Sequence, residues 1–267
     1  AASCVRENSS RKQDIHVQQM SGFPNQEFGY ELGVSACYAG IIGNKLVMAG
    51  GCNFAGKSAA EGGPKYFYKG IYTAEITEDS VLVWKQVGEL PSPVAYGVSI
   101  SRSGEMILIG GNNADGGLTS VFRLKLAEDG GAILDTLPSL PFALDNMSGA
   151  ASGNTIYMAG GNRNGSPSTS MLSLNLNEPE LGWKEEVPFP GAARVQPVCA
   201  VQDGMLYLWG GFCPSQNGGE ASVATDGYRY LPLQERWEPV PAPAVAETGE
   251  PLTLTGGTSC VWSDSII

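Results

Sequence analysis

An all-β fold of repeated, short-stranded units is what this sequence predicts, and three features carry the prediction. Glycine and proline are abundant, 36 and 17 among 267 residues, with no collagen-like period. Polar turns run repeatedly into strand-forming residues that close on Gly-Gly: GNKLVMAGG at 43–51, GEMILIGG at 104–111, GNTIYMAGG at 153–161 and DGMLYLWGG at 203–211. Downstream of three of these pairs a tryptophan precedes a proline-bearing turn: Trp84 before GELPSP, Trp183 before EVPFPG and Trp237 before PVPAP.

The pairs Gly50-Gly51, Gly110-Gly111, Gly160-Gly161 and Gly210-Gly211 stand 60, 50 and 50 residues apart. A period near 50 with a terminal Gly-Gly and a later Trp is the signature of a kelch-type β-propeller, each repeat being one four-stranded antiparallel blade. The glycines are expected to let the chain leave the crowded inner strand, where positive φ and a missing Cβ both help. The tryptophan is expected on an outer strand, filling the widening gap between blades. In the second repeat Leu134, within LDTLPSLP, stands in its place. Disorder is excluded by the 42% of hydrophobic residues, spread evenly in short runs.

Repeats begin near Gly33, Ala95, Asn146, Arg194 and Thr255, which gives four nearly whole blades and the first strand of a fifth. The final TSCVWSDSII (258–267) has the turn and the first apolar residues without the Gly-Gly. A propeller closes on itself so that no blade edge is left unpaired. The expectation is therefore about 75–110 further residues, in a continuation or another chain. The alternative is a smaller propeller whose last sheet is completed by residues 5–30. The division expected is an N-terminal tail over 1–30 and an incomplete propeller over 31–267.

The net charge of −11, with no cluster of Lys and Arg, argues against nucleic acid as a partner. It also means that an anionic ligand must be held by a local positive site against an adverse field. No run approaches the length of a membrane-spanning helix. The single histidine, His16, rules out a Ser-His-Asp triad and a multi-histidine metal site. No cysteine pair has metal-ligand spacing, and Cys37, Cys199 and Cys260 fall in apolar runs where a thiol acts as a small hydrophobe. Neither a metal nor a cofactor is expected. Cys4 stands apart, because AAS before a cysteine resembles the end of a bacterial lipoprotein signal. That implies export to the periplasm or outer membrane, with a lipid anchor on Cys4.

Three stretches carry a more specific likeness. GVSACYAGIIGNKLVMAGGCNFAG (33–56) followed by GGPKYFYKGIY (62–72), AYGVSISRSGEMILIGG (95–111) and FPGAARVQPVCAVQDGMLYLWGG (189–211) resemble blades of the bacterial sialic-acid mutarotases, the N-acetylneuraminate epimerases. The blade order resembles the cyclically permuted branch of that family. The resemblance implies six blades and an isomerase that interconverts the anomers of N-acetylneuraminate without cofactor or metal. It also implies an acid/base glutamate with a partner arginine in a GE-x-K-P-G-x-R pattern. No such pattern occurs in residues 1–267, and the permuted order would place it after Ile267.

Opening and reclosing a hemiketal needs a base at the anomeric hydroxyl and an acid at the ring oxygen. The carboxylate of the sugar calls for a cation, best an arginine. In a kelch propeller two places reach the central mouth: the approach to an innermost strand and the turn after Gly-Gly. Arg194, which also fits the family's FPG-x-x-R-x-Q pattern, and Asp145 occupy the first; Asn53, Asn112, Asn162 and Arg163 occupy the second. Each asparagine also suits a plain turn, because Asn tolerates left-handed backbone. Arg194 has a surface or inter-blade ion pair as its alternative. Lys65 and Tyr68 lie in the long insert 52–70, a candidate lid. The lack of S-x-D-x-G-x-x-W boxes argues against a sialidase, and the single histidine against a copper-radical oxidase. A propeller that binds a glycan or a protein without turnover remains the rival.

Overall fold

The computed structural model describes residues 19–77, 81–215, 219–245, 247–262 and 265–266. His16 and Cys4 lie outside them. Four antiparallel sheets follow one another, each with its four strands adjacent in chain order. Blade 1 comprises Tyr38–Ile42, Lys45–Ala49, Gly70–Glu75 and Lys85–Glu89. Blade 2 comprises Val98–Arg102, Glu105–Ile109, Val121–Leu126 and Ala132–Thr136. Blade 3 comprises Ser148–Ser152, Thr155–Ala159, Met171–Asn175 and Lys184–Glu185. Blade 4 comprises Val198–Gln202, Met205–Trp209, Gly227–Leu231 and Arg236–Val240. The hairpin of Val261–Trp262 and Ser265–Ile266 begins the next sheet.

The first strand of every blade lies innermost, around a central channel. The Gly-Gly pairs therefore end the second strand and not the innermost one, and their reason is different from the one expected. Gly110 has φ +59°, and a Cβ on it would stand 2.5 Å from the Leu144 carbonyl oxygen of the next repeat. That same oxygen accepts the Gly111 N–H at 2.8 Å. The pattern recurs, with Gly51, Gly161 and Gly211 donating to Val94, Arg194 and Leu254 at 2.7, 2.9 and 2.7 Å. Gly-Gly is thus the seat on which the following blade docks.

Strand alternation divides the core into layers between blades. In Glu105–Ile109, Met106 and Leu108 face blade 1, packing with Val47, Ile71 and Leu90. Ile107 and Ile109 face blade 3, packing with Ile156, Met158 and Leu172. Tyr157 and Ala159 in turn face Leu206, Leu208 and Tyr230 of blade 4. Each such buried side chain contributes roughly 1.5–3 kcal/mol. The tryptophans behave as expected: Trp183 Nε1 donates to the Pro138 carbonyl at 2.9 Å and Trp237 Nε1 to that of Val187 at 2.8 Å, each reaching the preceding blade.

Residues 19–33, divided at residue 30 on sequence grounds, run along blade 1, most of them exposed, and are tied to it through Gly22, Glu27 and Tyr30. They reproduce what a preceding blade supplies elsewhere. The Tyr30 hydroxyl donates to the Gly50 carbonyl as that of Tyr38 does to Gly110. Gly22 accepts from Trp84 Nε1 at 3.2 Å. Glu27 accepts from the Tyr72 hydroxyl as Glu186 does from Tyr230.

Gly104, with φ +77° and open space around its Cβ position, isolates the backbone effect from the docking effect. Gly104→Ala should cost about 1 kcal/mol, whereas Gly110→Ala should cost about 3 kcal/mol or more, because the docked carbonyl must also move. Urea unfolding of both variants tests this, and equal costs would refute the docking role.

Candidate functional site

At one end of the channel the chain turns into each innermost strand through a residue in left-handed backbone. Ala36, Tyr96, Asn146 and Gln196 have φ of 57°, 61°, 53° and 52°, and Gly256 has 64°. For non-glycine residues this conformation costs roughly 1–2 kcal/mol each. What offsets it is a chain of hydrogen bonds from blade to blade. Tyr96 N–H donates to the Ala36 carbonyl at 3.0 Å, Asn146 to Tyr96 at 2.8 Å, Gln196 to Asn146 at 2.6 Å and Gly256 to Gln196 at 3.1 Å. These five residues form the rim of the channel, a cavity of about 970 Å³.

The walls are edge strands whose unpaired backbone groups need partners. Serines of the adjoining blade supply them. Ser99 Oγ bonds both the N–H and the C=O of Ala39, Ser101 Oγ accepts the Ile41 N–H, and Ser259 Oγ donates to the Cys199 carbonyl. Cys37, Cys199 and Cys260 also line the channel; Cys199 is buried as expected, while Cys260 is exposed. Burial pushes the Cys199 thiol up to about 12 and the Cys37 thiol to about 11, so neither is a thiolate nucleophile near neutrality. Among the described residues no cluster of His, Cys, Asp and Glu could hold a metal ion.

The residues singled out from the sequence separate into those at the rim and those used by the fold. Arg194 has no accessible surface. Its Nε donates to the Ala192 carbonyl, its Nη1 to the Gly210 carbonyl and to Asp226, and its Nη2 to Asp226 Oδ2 at 3.0 Å. It forms an ion pair within blade 4, not the inter-blade one, and lies away from the channel wall. Arg163 pairs with Glu185 at 3.0 Å and stacks on Phe142. Asn53 Nδ2 donates to the Gly29 and Gly33 carbonyls, and its Oδ1 accepts from the Tyr68 hydroxyl. Tyr68 is buried among Tyr30 and Tyr72 and does not form a lid. Asn112 pairs through its backbone with Ala95 and Gly117, and its side chain makes no hydrogen bond among the described residues.

Lys65 does reach the rim. The ribbon formed by Cys52–Asn53 and Tyr66–Phe67 carries Lys65 to Tyr96, where Nζ donates to the phenol oxygen at 2.9 Å. The ammonium also lies 5.0 Å from the Tyr96 ring centre and 5.5 Å from that of Phe54. The hydrogen bond to Tyr96 raises the Lys65 pKa above its ordinary value, holding the cation at the mouth.

Across the rim lies an amide cluster. Asp145, buried, accepts from Asn146 Nδ2 at 2.6 Å and from Asn162 Nδ2 at 2.8 Å, both on Oδ1. Asn146 Oδ1 accepts from Gln196 Nε2 at 2.9 Å. Tyr96, Asn146 and Gln196 were not marked from the sequence as site residues. Their 50-residue spacing is the available signal, with the closing position of FPG-x-x-R-x-Q for Gln196; Asn146 stands one position past Asp145 and Gln196 two past Arg194.

A propeller of Gly-Gly-docked blades around a central channel is a kelch-type β-propeller. The family model described as N-acetylneuraminate epimerase matches residues 2–133 and 137–267, and the chain belongs to that family. It is similar to the N-acetylneuraminate epimerase of Haemophilus influenzae (strain PittEE), 34% identical over 131 residues, or 49% of this chain and 32% of the relative. The Vibrio vulnificus (strain YJ016) epimerase is 40% identical over 87 residues, 31% of this chain and 23% of that protein. That of Pasteurella multocida (strain Pm70) is 33% identical over 141 residues, covering 52% and 36%. These matches span about a third of the relatives' length or less.

Burial would raise the Asp226 carboxyl, but hydrogen bonds from Arg194 and Tyr228 and the Arg194 charge outweigh it and hold it below its ordinary value. A depressed folded pKa gives stability that is complete above the ordinary carboxylate range, near pH 4, and is lost as pH falls through the depressed value. Asp226→Asn should cost about 2 kcal/mol at neutral pH, the buried-pair figure discounted for a carboxylate that is 39% exposed. The gap to wild type should narrow below about pH 4. Urea titrations across that range test it, and a gap constant down to about pH 2 would remove the carboxylate charge from the account.

Proposed function

We propose that this chain forms part of a mutarotase that interconverts the anomers of N-acetylneuraminate, holding the sugar acid at the channel rim. Membership of the N-acetylneuraminate epimerase family, across nearly all of its residues, carries the reading. Two local features support it. In a chain of charge −11, Lys65 places a cation at the mouth, suited to a carboxylate. Opposite it, the amides of Asn146 and Gln196 suit hydroxyl and N-acetyl groups. Lys65, Tyr96 and Gln196 replace Arg194 as the ligand-holding groups, since the Arg194 donors are all turned inward.

Mutarotation needs a proton taken from the anomeric hydroxyl and one given to the ring oxygen, then the reverse. The described channel wall carries no carboxylate and no imidazole. In this reading residues 1–267 bind and orient the sugar. The acid/base pair belongs to the GE-x-K-P-G-x-R blade that the resemblance implies, in the rest of the polypeptide or in a partner chain. The same wall favours a second reading, a glycan-binding propeller without turnover. Export and lipid attachment at Cys4 complete the proposal, and the intact mass of the natural protein tests them.

Proton NMR of freshly released N-acetylneuraminate should show α-to-β conversion well above the buffer rate. Binding without acceleration selects the second reading, and neither binding nor acceleration overturns both. Lys65→Met should weaken N-acetylneuraminate binding roughly tenfold, one exposed charge-assisted hydrogen bond, and leave neutral N-acetylmannosamine unaffected. Calorimetry with both sugars separates a charge effect from a general loss of the site.

A further inference from the structure

Behind the rim, outside the channel lining, lies a carboxylate with no cationic partner among the described residues. Asp145 is 5% exposed and forms no ion pair among the described residues. Both of its hydrogen bonds come from side-chain amides, Asn146 Nδ2 at 2.6 Å and Asn162 Nδ2 at 2.8 Å. A buried charge satisfied only by amides is costly to keep, so what it does to those amides matters.

A carboxylate offers acceptors alone, whereas a primary amide offers an acceptor at one end and donors at the other. The carboxylate of Asp145 forces Asn146 to turn its nitrogen inward. Asn146 must then present Oδ1 to Gln196, which answers with Nε2 at 2.9 Å. Each amide is flipped into one orientation by the one before it. The last member, Gln196, is left with Oε1 directed away from the chain, at the rim beside Gly256 and without a hydrogen bond among the described residues.

We propose that Asp145 is a positioning residue that fixes the amide polarity of the rim, so that Gln196 offers its carbonyl oxygen to a hydroxyl or amide N–H of the bound sugar acid. Asp145 itself never touches ligand. The inference rests on the sugar-acid reading for the identity of the ligand, and on the hydrogen-bond chain alone for the polarity.

A reversed chain tests it. Asp145→Asn removes the constraint at one end. Gln196→Glu puts an acceptor-only group at the other, facing Asn146 Oδ1. In the double variant Asn146 and Asn162 can both flip, each accepting from the new amide at 145 while Asn146 donates to the new carboxylate at 196, so every bond is remade in the opposite sense. Gln196→Glu alone, which sets a carboxylate against Asn146 Oδ1, should bind N-acetylneuraminate roughly tenfold more weakly, a broken buried hydrogen bond, whereas Asp145→Asn alone can keep its Oδ1 toward Asn146 and should stay within about threefold of wild type, as should the double. The urea midpoint, read without ligand, should follow the same order: Gln196→Glu lower, the double restored. Independent side chains would instead leave the double at least as weak as Gln196→Glu, and that result, or an unrestored midpoint, overturns the proposal. If Gln196→Glu does not fold, Gln196→Met still decides the ligand half. It removes the acceptor, and unchanged affinity would overturn that half. Failure of the wild-type protein to bind N-acetylneuraminate would overturn the sugar-acid reading and the ligand half together, while the stability cycle still decides the polarity of the rim.

Discussion

Everything at the mouth of this propeller depends on how one blade is fastened to the next. The fastening is a pair of backbone hydrogen bonds per junction. A Gly-Gly amide seats the carbonyl of the approaching chain, as Gly111 seats Leu144, and two residues later a left-handed residue donates to its counterpart one blade back, as Asn146 does to Tyr96. The first bond demands a missing Cβ, and the second demands a backbone that most residues avoid. Between them they fix where each innermost strand begins. Side chains at 36, 96, 146, 196 and 256 therefore arrive around one opening whatever their chemistry. The fold supplies the positions, and substitution at those positions supplies the site.

The same fastening explains why Arg194 is unavailable to a ligand. Its carbonyl is the seated group of the third junction, accepting from Gly161 at 2.9 Å. Its side chain folds back along the junction to the Gly210 carbonyl and Asp226, over the ring of Phe189. A guanidinium without accessible surface must have its charge and its donors answered by the protein, and here they are. A cation able to meet an anion is on a loop. Lys65 sits on the long insert of blade 1, braced by Phe54 and Tyr96 but with donors to spare. A rigid scaffold carrying its recognition groups on loops is the usual division of labour.

The blades were legible in the sequence because their signals are local. Gly-Gly, the polar hairpin turn and the later tryptophan each sit within one repeat and recur at its period. The assignment of glycines to the innermost strand failed for the same locality: nothing within a repeat says which of two consecutive strands faces the axis. Residues 19–33 carry no repeat signal of their own because their partners are far along the chain. Gly22 meets Trp84, Glu27 meets Tyr72 and Tyr30 meets Gly50 only once blade 1 exists. At the site, motif position pointed to Arg194, Asn53 and Asn162, all of which the fold uses for itself. Asn146 carries no mark except a shared register, Gln196 only the closing position of FPG-x-x-R-x-Q besides, and their meaning depends on a hydrogen bond across 50 residues.

The rim is uneven in a way that bears on recognition. Ala36 and Gly256 leave one arc bare, Tyr96 with Lys65 makes a second arc positive, and Asn146 with Gln196 makes a third one of amides. All five backbones are locked before any ligand arrives, and the amides are locked by Asp145. A small polar ligand gains little from burial and would lose much of that gain if it had to order its site. Here the ordering belongs to folding, met by inter-blade packing and the junction hydrogen bonds. The acceptor at Gln196 can then discriminate by its placement, because its amide is held by Asn146, while Lys65, exposed on its loop, supplies charge rather than a fixed position.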